Sequence, residues 1–279
     1  MNAPVTTLAH ALEFASATDP GIVRSHNEDS MGADAELGLA VLADGMGGYN
    51  AGEVASGIAV AMLAKEMRLA LAQHKAHEVD PGSKQLWAER LIRENASKAN
   101  AAIYQAAHSQ PQYAGMGTTL VVALFHNDRV TVGHIGDSRM YRMRGDAFEQ
   151  VTRDHSLLQE QIDSGMITRE QARFSQNKNL VTRAVGVDPE VDTEVHSYEV
   201  RPGDIYVLCS DGLTDMVPDE DIQNALEMLQ ANLPLAASQL VQLANDAGGR
   251  DNISVILVRV RGSYAAPTGW WDKLKAWFK

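Results

Sequence analysis

The chain has 279 residues, a formal net charge of −12, 45% apolar and 22% charged residues, and one cysteine. That length buries a sizeable core in one large domain or two small ones without disulfides, and the composition excludes a disordered or collagen-like chain. The acidic balance excludes nonspecific nucleic-acid binding, which needs clustered lysine and arginine.

The opening MNAPVTTLAHALEF lacks the basic start and apolar centre of a signal peptide. No run of about 18 apolar residues suits a membrane span. A cytoplasmic location is therefore expected, in keeping with the lone Cys209, which lies in the apolar run IYVLC and reads as a buried structural thiol.

Residues 11–17 and 37–43 read as strands, the second apolar throughout, as for a strand covered on both faces. Residues 52–70 place Val54, Ile58, Met62 and Leu63 at helical spacing, and residues 85–108 do the same with Ile92, Ala96, Ala99 and Ile103. A polar stretch with a Pro-Gly break separates these two helices. Strands follow at 118–126 and 129–135, joined by a hairpin at Asn127-Asp128, and then at 139–144. Residues 154–185 read as irregular and partly helical. Strands return at 195–200 and 204–209, helices opening near prolines at about 219–230 and 234–247, and a last buried strand at 253–260. Strands grouped together, with paired helices between the groups, predict an α+β layered sandwich rather than alternating βαβ units.

Five segments set a carboxylate beside a turn at a strand end: Arg24-Ser25-His26-Asn27-Glu28-Asp29, Asp44-Gly45-Met46-Gly47-Gly48, Gly136-Asp137-Ser138-Arg139, Ser210-Asp211-Gly212-Leu213 and Gly249-Arg250-Asp251-Asn252. Asp-Gly is a common turn and aspartate a common helix cap, so any one segment alone reads as turn or cap. Asp19, Asp34, Asp188 and Asp204 stay under that reading. Five together are different, because an ionised carboxylate at the mouth of a buried strand costs desolvation energy unless it is paired or binds a cation. Oxygen ligands without histidine or cysteine favour the hard ions magnesium, manganese or calcium.

These segments lie within longer motifs: GIVRSHNEDS, LADGMGGYNAGEVAS, GMGTTL, HIGDSRMYR, LVTRAVG, DIYVLCSDGLTD and GGRDNISVILV. In content and order they resemble the metal-dependent protein phosphatases of type 2C (PPM), in the compact bacterial form. The resemblance implies a four-layer α-β-β-α sandwich with two central antiparallel sheets and a flap at about 155–185. It implies a phosphatase domain over 1–261, followed by a linker and an amphipathic tail over 262–279. It further implies a serine/threonine phosphatase that opposes a bacterial Ser/Thr kinase, in which a water bridging two Mn2+ or Mg2+ ions attacks phosphorus directly. Asp44 would bridge both metals, the Gly45 carbonyl would bind one, and Asp211 and Asp251 the other. Glu28 and Asp29 would act through metal-bound waters, and Asp137 would help hold a third, weaker ion. Arg24 would grip the substrate phosphate, and Asn252 would stand at the edge of the site.

Met46 stands where many eukaryotic members carry histidine as the acid, which leaves proton donation to water. His26 and His155 lie near motif positions, and each reads first as a surface or hydrogen-bonded residue. Arg139 reads as a structural partner for a carboxylate. The flap carries Arg169, Arg173, Lys178 and Arg183, with Asn179 where some relatives have a metal-assisting serine.

Two rivals weaken on the same residues. A pseudo-phosphatase has no physical need of Arg24, Asp44, Asp211 and Asp251 together, and a partner-switching regulator would carry an appended sensor domain. The tail WWDKLKAWFK sets Trp270, Trp271, Leu274, Trp277 and Phe278 on one helical face, with lysines mostly opposite. It suits packing on the domain or a partner, with peripheral membrane contact as the minority reading. A monomer is expected.

Overall fold

The computed structural model describes residues 8–48, 51–172 and 180–266. In chain order its elements are β1 (Leu12–Asp19), β2 (Asp29–Asp34), β3 (Leu39–Met46), α1 (Ala51–Leu71), α2 (Trp87–Ser109), β4 (Gly117–Thr118), β5 (Leu120–His126), β6 (Arg129–Ile135), β7 (Arg139–Arg144), β8 (Ala147–Gln150), α3 (Leu157–Asp163), α4 (Arg169–Ala172), β9 (Glu194–Glu199), β10 (Ile205–Cys209), α5 (Asp211–Thr214), α6 (Asp219–Leu229), α7 (Leu233–Asp246) and β11 (Ile253–Val260). The strands form two antiparallel sheets, ordered β1-β11-β10-β7-β8 and β2-β3-β5-β6-β9, with β4 paired to the end of β3.

The uninterrupted apolar runs follow from where each face points, since successive side chains on a strand face opposite ways. In β3, Leu39, Val41 and Ala43 pack with α1 and α2, while Ala40 and Leu42 enter the layer between the sheets. In β10, Ile205, Val207 and Cys209 pack with α6 and α7, while Tyr206 and Leu208 enter the same central layer. Three apolar layers thus separate four layers of structure, the expected α-β-β-α sandwich. Burial pushes the Cys209 thiol up to about 12, the mark of an inert core residue.

Two strands were not expected. β2 is DSMGAD, with no apolar alternation, and it exists because it pairs with β3 from Asp29–Asp44 to Asp34–Leu39. β8 is a four-residue edge strand of mostly exposed residues. The Asp44-Gly45 pair is a correction too: it lies inside β3, not in a turn, because the strand runs on to Met46 against β4. Asn127 and Asp128 do form the hairpin turn, both at positive φ. The flap region holds α3, α4 and a returning limb at 180–185; its Arg173, Lys178 and Asn179 lie outside the described residues, as does the tail 270–279. Among residues 262–266, Tyr264 is buried and its backbone N–H donates to Asp128 Oδ1 (2.6 Å).

Phe125 joins the two sheets: its ring meets Phe14 and Tyr206 of the opposite sheet edge-on, at centroid distances of 6.3 and 5.3 Å. Phe125→Ala is expected to lower unfolding free energy by about 3–5 kcal/mol, read from the midpoint of chemical denaturation.

Candidate metal centre

The sandwich brings the expected carboxylates to one end. Asp44 lies near the C-terminal end of β3. Asp137 and Asp211 follow the C-terminal ends of β6 and β10. Asp29 opens β2 directly opposite Asp44, and Asp251 precedes β11. Their mutual influence shows in their protonation. Burial, then the charges of Asp29, Asp211, Asp137 and Asp251, hold Asp44 well above the usual carboxylate range. Burial, then Asp137, Asp215, Asp251 and Asp29, do the same to Asp211. Asp29 and Asp137 are each raised to about 6, again chiefly by burial, with Asp251 adding to the first and Asp154 to the second. Four carboxyls disfavoured as anions by enclosure and by neighbouring carboxylates make a site that a polyvalent cation would relieve.

Other details fit a cation. Asp29 Oδ1 is buried without a hydrogen-bond partner, while its Oδ2 accepts from Ser210 Oγ (2.8 Å). The Gly45 N–H donates to the Glu28 carbonyl (3.1 Å), and a Cβ on Gly45 would overlap the Gly52 and Glu28 carbonyl oxygens. A Cβ on Gly52 would stand 2.9 Å from the Glu28 carboxyl carbon. Two glycines therefore keep a small polar cradle open beside Asp44. The donor set is all oxygen, as magnesium and manganese require.

Arg24 stands at the rim, half-exposed, with Nη2 donating to Asp251 Oδ2 (2.7 Å). Burial opposes its charge, but Asp251, Glu28 and Asp211 outweigh that and raise its pKa. Burial also raises the Glu28 carboxyl, with Arg24 opposing. A cleft of about 710 Å³ opens alongside, lined in part by Asp137, Arg139, Asp154, Asp211, Asp215 and Asp219. Arg139 is committed inside it: it grips Asp154 with Nε and Nη2 (2.9 and 2.6 Å to Oδ1 and Oδ2), and Nη1 donates to the Tyr141 hydroxyl (3.0 Å). Asp19 and Asp34 hold their own turns, and Asp204 pairs with Arg144.

Asn252 does more than its place at the edge suggested. It is buried, Nδ2 donates to the carbonyls of Pro20 (2.9 Å) and His26 (2.7 Å), and Oδ1 accepts from the Glu28 N–H (2.7 Å). It thereby pins the whole loop that carries Arg24 and Glu28. The sequence hinted at this only by placing Asn252 between Asp251 and the last buried strand.

A family model described as protein phosphatase 2C matches residues 23–246. The chain belongs to the protein phosphatase 2C family. It is 37% identical over 244 residues to the serine/threonine phosphatase stp of Listeria innocua, covering 86% of this chain and 93% of that protein. It is 39% identical over 249 residues to the serine/threonine protein phosphatase PstP of Mycobacterium tuberculosis, covering 89% of this chain and 45% of that longer protein. A crystal structure of PstP superposes with a TM-score of 0.81 at 37% identity, over 90% of this chain and 99% of that one. The PstP catalytic domain in complex with two manganese ions superposes with a TM-score of 0.78 at 37% identity, over the same shares of the two chains. This chain is a protein serine/threonine phosphatase of the metal-dependent PPM type. Among its described residues no helix is long and apolar enough to cross a membrane.

Asn252→Ala in this phosphatase removes three hydrogen bonds worth about 1 kcal/mol each. The expected loss is roughly 2–4 kcal/mol in denaturant unfolding, together with faster amide exchange over residues 20–28.

Proposed function

We propose that this phosphatase hydrolyses phosphoserine and phosphothreonine in proteins by direct attack of water on phosphorus, opposing a Ser/Thr kinase. The observation that carries the reading is the convergence of Asp29, Asp44, Asp137, Asp211 and Asp251 from both sheets, with Arg24 offering a half-exposed cation at the rim. Asp44, the Gly45 carbonyl, Asp211 and Asp251 would hold two Mn2+ or Mg2+ ions, Glu28 and Asp29 would act through water, and Asp137 would help hold a third, weaker one. Bound there, the ions neutralise the phosphate dianion and acidify the attacking water.

The chain's own residues do the rest. Arg24 presents a planar fork that binds two phosphate oxygens and orients the group. In the absence of phosphate it rests on Asp251. That pair is half-exposed, so it is worth at most about 1 kcal/mol and releases Arg24 to substrate at little cost. Asn252 fixes the loop so that Arg24 keeps its place relative to the carboxylates. Asp29 is steadied by Ser210, which also accepts the Ser254 N–H (3.0 Å), so the sheet opposite β2 holds this carboxylate in place. Met46 offers no proton, and His155 is enclosed, so water carries the proton to the leaving hydroxyl. The domain works as a monomer in the cytoplasm and extends past residue 261, because Tyr264 packs into its central layer; the tail 270–279 would contact a partner or a membrane surface.

Turnover of a phosphothreonine peptide and of para-nitrophenyl phosphate is expected to vanish in excess chelator and return with Mn2+. Arg24→Ala is expected to lower kcat/KM about tenfold or more, from a charged bidentate contact of about 1.5–3 kcal/mol, with Mn2+ binding by calorimetry unchanged. Full turnover in chelator, or an unchanged kcat/KM, would overturn the reading.

A further inference from the structure

His134, His155 and Glu194 gather beside Gly136 with ligand-capable atoms within 4.8 Å of one another. The two imidazoles stack at 4.6 Å between centroids, nearly parallel. They look like a transition-metal site, but the hydrogen bonds oppose it. The Gly136 N–H donates to His155 Nδ1 (3.2 Å), so the one lone pair of the neutral ring is spent on the backbone. The proton is then on Nε2, which donates to Glu194 Oε2 (3.3 Å). His134 Nε2 donates to the Arg153 carbonyl (2.7 Å). A cation on His155 Nε2 would force a proton onto Nδ1, against the Gly136 N–H. Burial and the neighbouring His134 lower the His155 pKa, in keeping with the neutral form.

The same bonds describe a clamp. The His155 N–H donates to the Gly136 carbonyl (2.8 Å), so ring and backbone hold both polar groups of Gly136. Gly136 sits at φ +104°, and a Cβ there would stand 2.7 Å from the Thr119 methyl carbon. Thr119 Oγ1 bonds Ser138 Oγ (2.7 Å) and accepts from the Asp44 N–H (2.9 Å). On its other side the His155 carbonyl accepts from the Thr182 N–H (2.8 Å), and Leu157 N–H donates to the Leu180 carbonyl (2.9 Å). His155 therefore ties the turn before Asp137 to the returning limb of the flap, with Thr119 packed between that turn and the Asp44 backbone and the Leu157–Leu180 bond alongside.

We propose that His155, held in one tautomer by Glu194, is a positioning residue that sets the Gly136–Asp137 turn and the base of the flap for phosphoryl hydrolysis. The proposal rests on the metal-centre reading for its consequence and on the hydrogen bonds alone for the clamp. Side-chain geometry separates the roles. Asparagine at 155 keeps an acceptor where Nδ1 stands, whereas glutamine keeps only a group where Nε2 stands.

The test compares wild type, His155→Asn, His155→Gln and Asp137→Asn, each confirmed folded by its thermal melt. In metal-free protein, amide exchange over 136–138 and 180–183 is expected to rise tenfold or more in His155→Gln and to stay within about threefold of wild type in His155→Asn. With Mn2+, His155→Gln is expected to lose kcat on para-nitrophenyl phosphate by ten- to a hundredfold, the scale of a small misplacement, with KM little changed. It should also weaken the loosest Mn2+-binding event seen by calorimetry, the one that Asp137→Asn removes. Unchanged exchange in His155→Gln, or equal disturbance in His155→Asn, overturns the proposal. If exchange responds as expected while Asp137→Asn leaves turnover and the Mn2+ isotherm intact, the clamp stands and the assignment of Asp137 as a metal ligand fails.

Discussion

Like charges forced together in a half-buried space are the constraint on which the rest of this molecule depends. Enclosure raises the pKa of Asp29, Asp44, Asp137 and Asp211, and Asp29, Asp137, Asp211 and Asp251 each push up at least one neighbour further. In water these groups would drift apart. They stay because their strands are fixed by three apolar layers that do not give way to repulsion of this size. The sandwich is therefore the frame that makes an unfavourable cluster possible, and a divalent cation would relieve it.

The polar contacts around the cluster divide the labour. Asn252 holds the loop of Arg24 and Glu28. Ser210 holds Asp29 from the opposite sheet, and Thr119 holds the Asp44 backbone. Arg139 keeps Asp154 engaged by a fork of hydrogen bonds, so one carboxylate beside the site is already paired. Among these supports only Ser210, on Asp29, and the Asn252 N–H, on Asp251 Oδ1 (2.9 Å), place a donor on the central cluster, and none places one on the carboxylates of Asp44 or Asp211.

The sequence was most legible where burial is two-sided. β3, β10 and β11 carry long apolar runs because each feeds two layers, and α1 and α2 began and ended within a few residues of their expected limits. β2 was invisible because nothing in DSMGAD marks a strand; pairing with β3 makes it one, and with it the placement of Asp29 opposite Asp44. Asp44-Gly45 read as a turn because the dipeptide favours one, and the tertiary ladder with β4 overrode that preference. The carboxylates were legible as a set, through repetition at strand ends. The roles of Asn252 and His155 were not, since their partners are backbone atoms far away in the chain, which no local pattern encodes.

If the cluster stores repulsion for a cation, removing one charge should stabilise the empty protein while disabling it. The decisive measurement is the thermal unfolding of wild type and Asp44→Asn, each with excess chelator and with Mn2+. In chelator, Asp44→Asn is predicted to melt higher, by about 1 kcal/mol or roughly 2–4 °C for a domain of this size, and Mn2+ should raise the wild-type midpoint far more than the variant's. A variant that melts lower than wild type in chelator, or that gains as much from Mn2+, would contradict the account.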